Sequence, residues 1–280
     1  MTTEQFDDCK QCLNRKKRVS EEENICNLKG KNIEFEDTCK DFALDNDIVL
    51  GFQNKINAIK PNLQRANRAQ LLIWLVSAVD IISVYSFYLQ YKLLCSLQNN
   101  EYVSTQTINT NDTRVRIIGI LYLIVFFISA FTFIQWFRRA YYNLNIRANC
   151  NHAESWAAGS WFVPIISFFR PYQIMKEMHH KTTALIKSNT DEILDNSNSG
   201  IGVWWGLWII TNYFGNYILK SSFKAETIED YLNNTIAQIV ISIFGILLAV
   251  ITVMMIKSYS LKEEKISELE KRKKTPENLD

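Results

Sequence analysis

Four thiols stand near the start of the chain: Cys9, Cys12, Cys26 and Cys39, spaced C-x2-C-x13-C-x12-C. A C-x2-C knuckle with two further cysteines is a donor set for a tetrahedral Zn²⁺. No histidine lies near enough to replace a thiolate, so the complete site is four-Cys. So short a segment buries too little core to stand without a staple, which a metal would supply. A cytoplasmic head would disfavour disulfides among these residues. An iron–sulfur cluster and unligated or redox-active thiols are the other readings. Cys95 and Cys150 stand alone and read as inert.

A second group of polar residues lies inside apolar runs. Asp80 has Ser77 and Ser83 three positions to either side, Asn212 and Asn216 are one turn apart, and Gln238 heads a stripe of small residues. A carboxylate at such a depth costs about 2.5–3.5 kcal/mol on insertion scales and turns toward a bundle interior. Asp80 reads as a proton relay, a cation site, a counter-ion to Arg170 or Arg138, or a Ser-bonded packing residue. His152, His179 and His180 are the only histidines, and the adjacent pair reads as solvated. No serine nucleophile with a partner histidine, Walker loop, HExxH or paired carboxylates appear, so the expectation is a non-enzymatic protein. No Lys/Arg cluster is interleaved with aromatics, which argues against nucleic acid as a partner.

Positioning these residues falls to long apolar elements. At 48% hydrophobic and 21% charged, the 280-residue chain looks soluble on average, but its polarity is segregated. Residues 1–68 carry twelve of the 31 Lys and Arg, whereas 71–86 hold one charge, Asp80. A membrane-crossing helix needs about 20 apolar residues. Four stretches qualify: 71–94, 117–137, 201–219 and 235–256. The start of the chain lacks the basic and apolar regions of a secretory signal.

Lys and Arg crowd the flank before the first stretch, the region 138–200 and the tail after 256, and are sparse in the connections 95–116 and 220–234. By the positive-inside rule this alternation puts both termini and the middle region in the cytoplasm, in the cell (inner) membrane. Inside the middle region, "GSWFVPIISFFRPYQIMKE" opens like a fifth span and is broken by Pro164, Arg170 and Pro171. Its fourteen apolar-leaning residues, 156–169, reach about 21 Å as helix, short of a roughly 30 Å hydrocarbon core. The expectation is a re-entrant or interfacial segment, with Trp161 and Pro164 inside the bundle or at its mouth and Arg170 at headgroups or paired with Glu177. Pro171 suits the first turn of a new helix. That helix reads as amphipathic, with Ile174, Met175, Met178, Thr182, Leu185 and Ile186 on one side and Lys176, Glu177, His180, Lys181 and Lys187 on the other. It lies at the interface or on its own bundle's cytoplasmic face.

The expected fold is an all-α integral membrane protein: a four-span bundle with a Pro-broken segment and a small Cys-rich head. Its organisation is a head over 1–45, a linker and juxtamembrane helix over 46–69, a membrane domain over 70–258 containing the segment 156–187, and a basic helical tail over 259–280. Its partners are the lipid bilayer and a cytoplasmic protein or a second copy of the chain, to which the head and interfacial helices would be presented. A small transporter or channel, in which the broken segment and Asp80 converge with Asn212 and Asn216 on a pathway, is the alternative. A membrane enzyme is a third reading, for which no catalytic set is visible.

"RRAYYNL" (138–144) and "WFVPIISFFRPYQIMKE" (161–177) resemble the bacterial DUF4328 family, multi-span proteins with no assigned activity. The resemblance runs over about 65–260 and implies the same architecture without adding a function. Separately, Cys9, Cys12, Asn14, Arg15, Lys16, Ile25, Cys26, Leu28, Phe35, Cys39 and Phe42 resemble a short Cys-rich leader carried by various bacterial proteins.

Overall fold

The computed structural model describes residues 12–14, 43, 45, 46, 50, 51, 54, 57–190 and 199–274. The chain divides into two compact units, 1–59 and 60–280. In the first, Cys12 is buried, and the amide of Leu13 donates to the carbonyl of Ala43 at 2.7 Å. Cys9, Cys26 and Cys39 lie outside the described residues.

Among the described residues of the second unit are five long helices: α1 (Leu63–Gln98), α2 (Thr105–Arg147), α3 (Arg170–Lys187), α4 (Ser199–Ser222) and α5 (Ile228–Lys274). α1 packs between α2 and α5, α4 packs on the far side of α5, and α3 lies across one end against α5, α2 and α4. We call this the α3 end.

The helices run well past the apolar stretches because their polar turns are capped. At the start of α2, the Ser104 hydroxyl accepts from the Thr107 amide at 3.1 Å, so half of the expected loop is helix. Before α5, Thr227 and Asp230 form a reciprocal box, each side chain accepting from the other's amide. Asn100 takes a left-handed φ of 57° in the turn out of α1, a conformation asparagine tolerates.

α1, α2 and α5 are long and apolar enough to cross a membrane. Only 6% of α2's most apolar stretch is buried inside the protein. Ile120, Leu123, Ile124 and Phe127 stand out from it, a surface fit for lipid rather than water. The expected third span is also a helix, but its Trp, Tyr, Asn and Gly thin its aliphatic content, and α4 does not join the three.

The α1–α5 seam keeps one antiparallel register throughout. Stepping from Asn62 to Asp80 to Gln90 on α1 steps the partner back by the same number of residues on α5, from Glu263 to Gly245 to Thr235. Ala66, Ala69, Ser77, Asp80 and Ser83 line α1's side and Ser242 and Ala249 line α5's, small residues that let two helices approach closely. Gly202 and Gly206 of α4 instead face open space, so their lack of a side chain serves no close packing here.

Candidate functional site

The chemistry of the fold gathers at the α3 end. Six of the seven tryptophans are there; only Trp74 lies elsewhere. Trp161 inserts edge-on between Phe133 of α2 (5.6 Å between centroids) and Trp208 of α4 (5.7 Å), and Trp205 stacks on Trp208 at 4.6 Å. Trp161, supplied by the segment between α2 and α3, thus bridges α2 and α4, which also meet directly through Phe133 and Trp204 at 6.4 Å.

That segment is an arm, folded as a single helical turn at Trp156–Gly159 and a 3-10 turn at Ile166–Phe168. Trp161 anchors it and Trp205 Nε1 donates to the Phe168 carbonyl at 3.0 Å. Between these anchors Phe162, Ile165 and Phe168 are 75%, 78% and 58% exposed. Pro164 is exposed rather than inside the bundle or at its mouth. No helix runs through it, so its missing amide breaks nothing. The Ser167 amide reaches back to Val163 and the Ser167 hydroxyl to the Pro164 carbonyl, closing the turn around the ring.

Behind the arm is a polar lock. Glu177, expected on α3's solvated face, is buried. It accepts from Tyr141 Oη at 2.7 Å, from the Asn151 amide at 2.7 Å and from Lys181 at 2.8 Å. Burial pushes the Glu177 carboxyl up, but the bonds from Lys181, Tyr141 and Asn151 outweigh it and hold it below its ordinary value. Tyr141 Oη in turn accepts from the His152 amide. Arg170 does not reach Glu177; it sits 2.8 Å from the His152 ring and over the rings of Trp156 and Phe169. Pro171 occupies the first turn of α3.

The remaining titratable groups here are quiet. Burial pushes Cys150 up to about 11, with the Glu177 charge adding to it, so its thiol stays protonated. His179 packs edge-on to Tyr259 at 5.7 Å, and burial brings it down to about 4, assisted by Lys262 and His180. The expected solvated histidine pair is therefore one packed neutral ring, His179, beside His180.

Below the lock, α1, α2 and α5 are bolted together. The Asn143 side chain clamps the Lys60 backbone from both sides, accepting from its amide at 3.1 Å and donating to its carbonyl at 2.8 Å. Asn143 also donates to Glu263 at 2.6 Å, as Asn62 does at 3.1 Å. Arg147, 5% exposed, forks onto both oxygens of Glu270 and bonds Ser267.

The intramembrane polar candidates do not converge. Asp80 lies in the α1–α5 seam facing Gly245, with one carboxylate oxygen buried and unpartnered. Gln238 is half-buried two turns before Gly245 on α5. Asn212 and Asn216 lie on α4's exposed face and bond back to carbonyls of their own helix. The broken arm is at the α3 end, away from all four. Among the described residues no cluster of three His, Cys, Asp or Glu could hold a metal.

Asn143, Glu263, Arg147 and the Tyr141–Glu177 bond were not singled out by residue type. Asn143 and the Tyr141–Glu177 bond had a signal in the two quoted motifs, since "RRAYYNL" contributes Tyr141 and Asn143 and "WFVPIISFFRPYQIMKE" ends in Glu177, whereas Arg147 and Glu263 lie in neither motif. No curated protein and no solved structure matches the chain. The family described as "Domain of unknown function (DUF4328)" matches residues 99–260, from the loop after α1 to about two thirds of the way along α5. With more than half of its length covered, the chain belongs to the DUF4328 family.

Proposed function

We propose that this protein is a non-enzymatic membrane module that crosses the cell (inner) membrane four times, with α4 as the third crossing and the α3 end and both termini in the cytoplasm. The arm and α3 form a platform at the membrane interface, and they and the Cys-rich head are presented to a protein partner or to lipid. The observation that carries this is the arm: bulky apolar side chains at Phe162, Ile165 and Phe168 are held outward by anchors at Trp161 and Trp205. Such a surface fits the headgroup–acyl boundary, where an apolar face sits about 5–10 Å deep. α4 has 24 residues, about 36 Å, enough for a core of roughly 30 Å. Charge supports the orientation, because Lys and Arg concentrate at the α3 end. We propose the head itself as a zinc-held appendage, on the spacing of its four thiols and the burial of Cys12.

The test is single-cysteine labelling in membranes with an impermeant thiol reagent, native cysteines replaced. Cysteine at Ile165 stays silent to the impermeant reagent from both sides, and a fluorophore attached there by a membrane-permeant reagent is quenched by lipids brominated high on their chains, while cysteine at Lys176 or Lys187 labels from the cytoplasmic side. Ready aqueous labelling at 165 refutes the interfacial arm, and labelling of 187 from outside refutes the orientation.

A further inference from the structure

Four arginines gather where α1 and α2 meet at the α3 end. Arg65 and Arg68 come from the first two turns of α1, Arg138 and Arg139 from near the end of α2. Arg65 lies within electrostatic reach of the other three, and its Nη1 donates to the Gln135 carbonyl at 3.2 Å. Arg138 has a carboxylate partner, Glu154, at 3.3 Å. Among the described residues none pairs with Arg65, Arg68 or Arg139. Glu263, whose charge reaches Arg139, already accepts from Asn62 and Asn143 and lies beside Arg147. α1 starts with no acidic residue and no side-chain cap, so its positive end adds to the arginine charge instead of offsetting it.

Among the described residues these four like charges share a single paired carboxylate, Glu154. What adjoins them says which kind of anion fits. Leu71, Trp74 and Leu75 continue outward-facing along α1, and Phe127, Ile128 and Phe131 along α2. Leu75 is about 10 Å along the helix from Arg68, roughly the depth from a phosphate to the upper acyl chain. A basic cluster directly above an apolar belt matches a molecule with a phosphate at one end and hydrocarbon below it, and guanidinium forks match phosphate oxygens.

We infer that the α1–α2 junction binds the phosphate headgroup of an anionic phospholipid, held by Arg65, Arg68 and Arg139 with its acyl chains along Leu71, Leu75 and Phe131. This rests on the membrane reading above, and resistance of the protein to carbonate extraction tests that reading separately. If the protein is integral but shows no lipid preference, this inference alone fails.

The experiment is native mass spectrometry of the delipidated full chain in detergent, titrated with phosphatidylglycerol or phosphatidylcholine. Wild type favours phosphatidylglycerol, and each arginine removed costs about fivefold in that preference. R65Q/R68Q/R139Q brings it to parity, while K176Q/K187Q on α3 leaves it intact. R68Q/R139Q, which keeps the Arg65–Gln135 bond, serves if the triple variant does not fold and loses most of the preference. An unchanged preference in either variant overturns the site. Displacement of the lipid by millimolar inorganic phosphate overturns the choice of lipid over a free anion.

Discussion

Gly245→Ala is the sharpest probe of the membrane bundle. A Cβ added at 245 would stand 2.9 Å from Asp80 Oδ2, 3.3 Å from Cγ and 3.4 Å from Oδ1. Rotating the carboxyl group exchanges one oxygen for the other but leaves Cγ too close, so the group cannot swing clear. Either α1 and α5 part or Asp80 leaves its rotamer, at about 1–3 kcal/mol. Asp80→Ala removes the obstruction. In that background Gly245→Ala costs little, giving a coupling of about 1–2 kcal/mol between the two sites. Asp80→Asn, the same shape without the charge, keeps the clash. Gly206→Ala, where the added atom meets nothing within 4 Å, is the neutral control. The assay is thermal unfolding of the purified chain in detergent, followed by fluorescence of the tryptophan cluster. Equal destabilisation by Gly245→Ala with and without the Asp80 carboxyl refutes the contact.

Other perturbations have equally definite outcomes. Stability falls as pH drops from about 6.5 toward 4, because burial lowers folded His179 to about 4 while the unfolded ring already takes up a proton near 6.5; the slope from this group is at most about 1.4 kcal/mol per pH unit. Glu177, held low, adds a further loss below the ordinary carboxylate range, and His179→Gln flattens only the upper part of the melting-temperature profile. Arg147→Ala strands Glu270, while Glu263 keeps its bonds from Asn62 and Asn143, and lowers stability by about 3 kcal/mol, measured by the same melt. Trp205→Phe removes the bond to the Phe168 carbonyl, costs about 1 kcal/mol, and speeds hydrogen exchange in 161–169 while leaving α1 unchanged. Zinc analysis finds one equivalent in the full chain and none in C9S/C12S; equal zinc in both ends the metal-held head.

What could be read in advance followed periodicity and charge. The apolar stretches of α1, α2 and α5, the start of α3 at Pro171 and the small-residue seam of α5 were all visible, because one helix face repeats every three to four residues. The family was visible in two motifs. Hidden was anything set by a partner distant in sequence. Nothing local tells that Glu177 turns inward, since its neighbours Lys176 and Lys181 suit a solvated face; only Tyr141, 36 residues earlier, makes burial tolerable. Pro164 misled for a related reason: a proline in an apolar run implies a broken helix only if a helix is there. Asp80 drew attention by its charge, yet its neighbour Gly245 could be found only by fixing the α1–α5 register.

α5 is 47 residues without a proline, about 70 Å of unbroken helix, more than twice the roughly 30 Å of a hydrocarbon core. Its far turns are fastened to α1 through Asn62 and to α2 through Asn143 and Arg147. A shaft clamped in this way has no joint at the membrane surface. A sideways pull on its outer end becomes a tilt inside the bilayer, and a change in bilayer thickness that tilts the helix swings that outer end in return. The Lys60 backbone, held in the Asn143 clamp, moves with it. Joined in this way, the outer ends of the three helices transmit tilt as one stiff body.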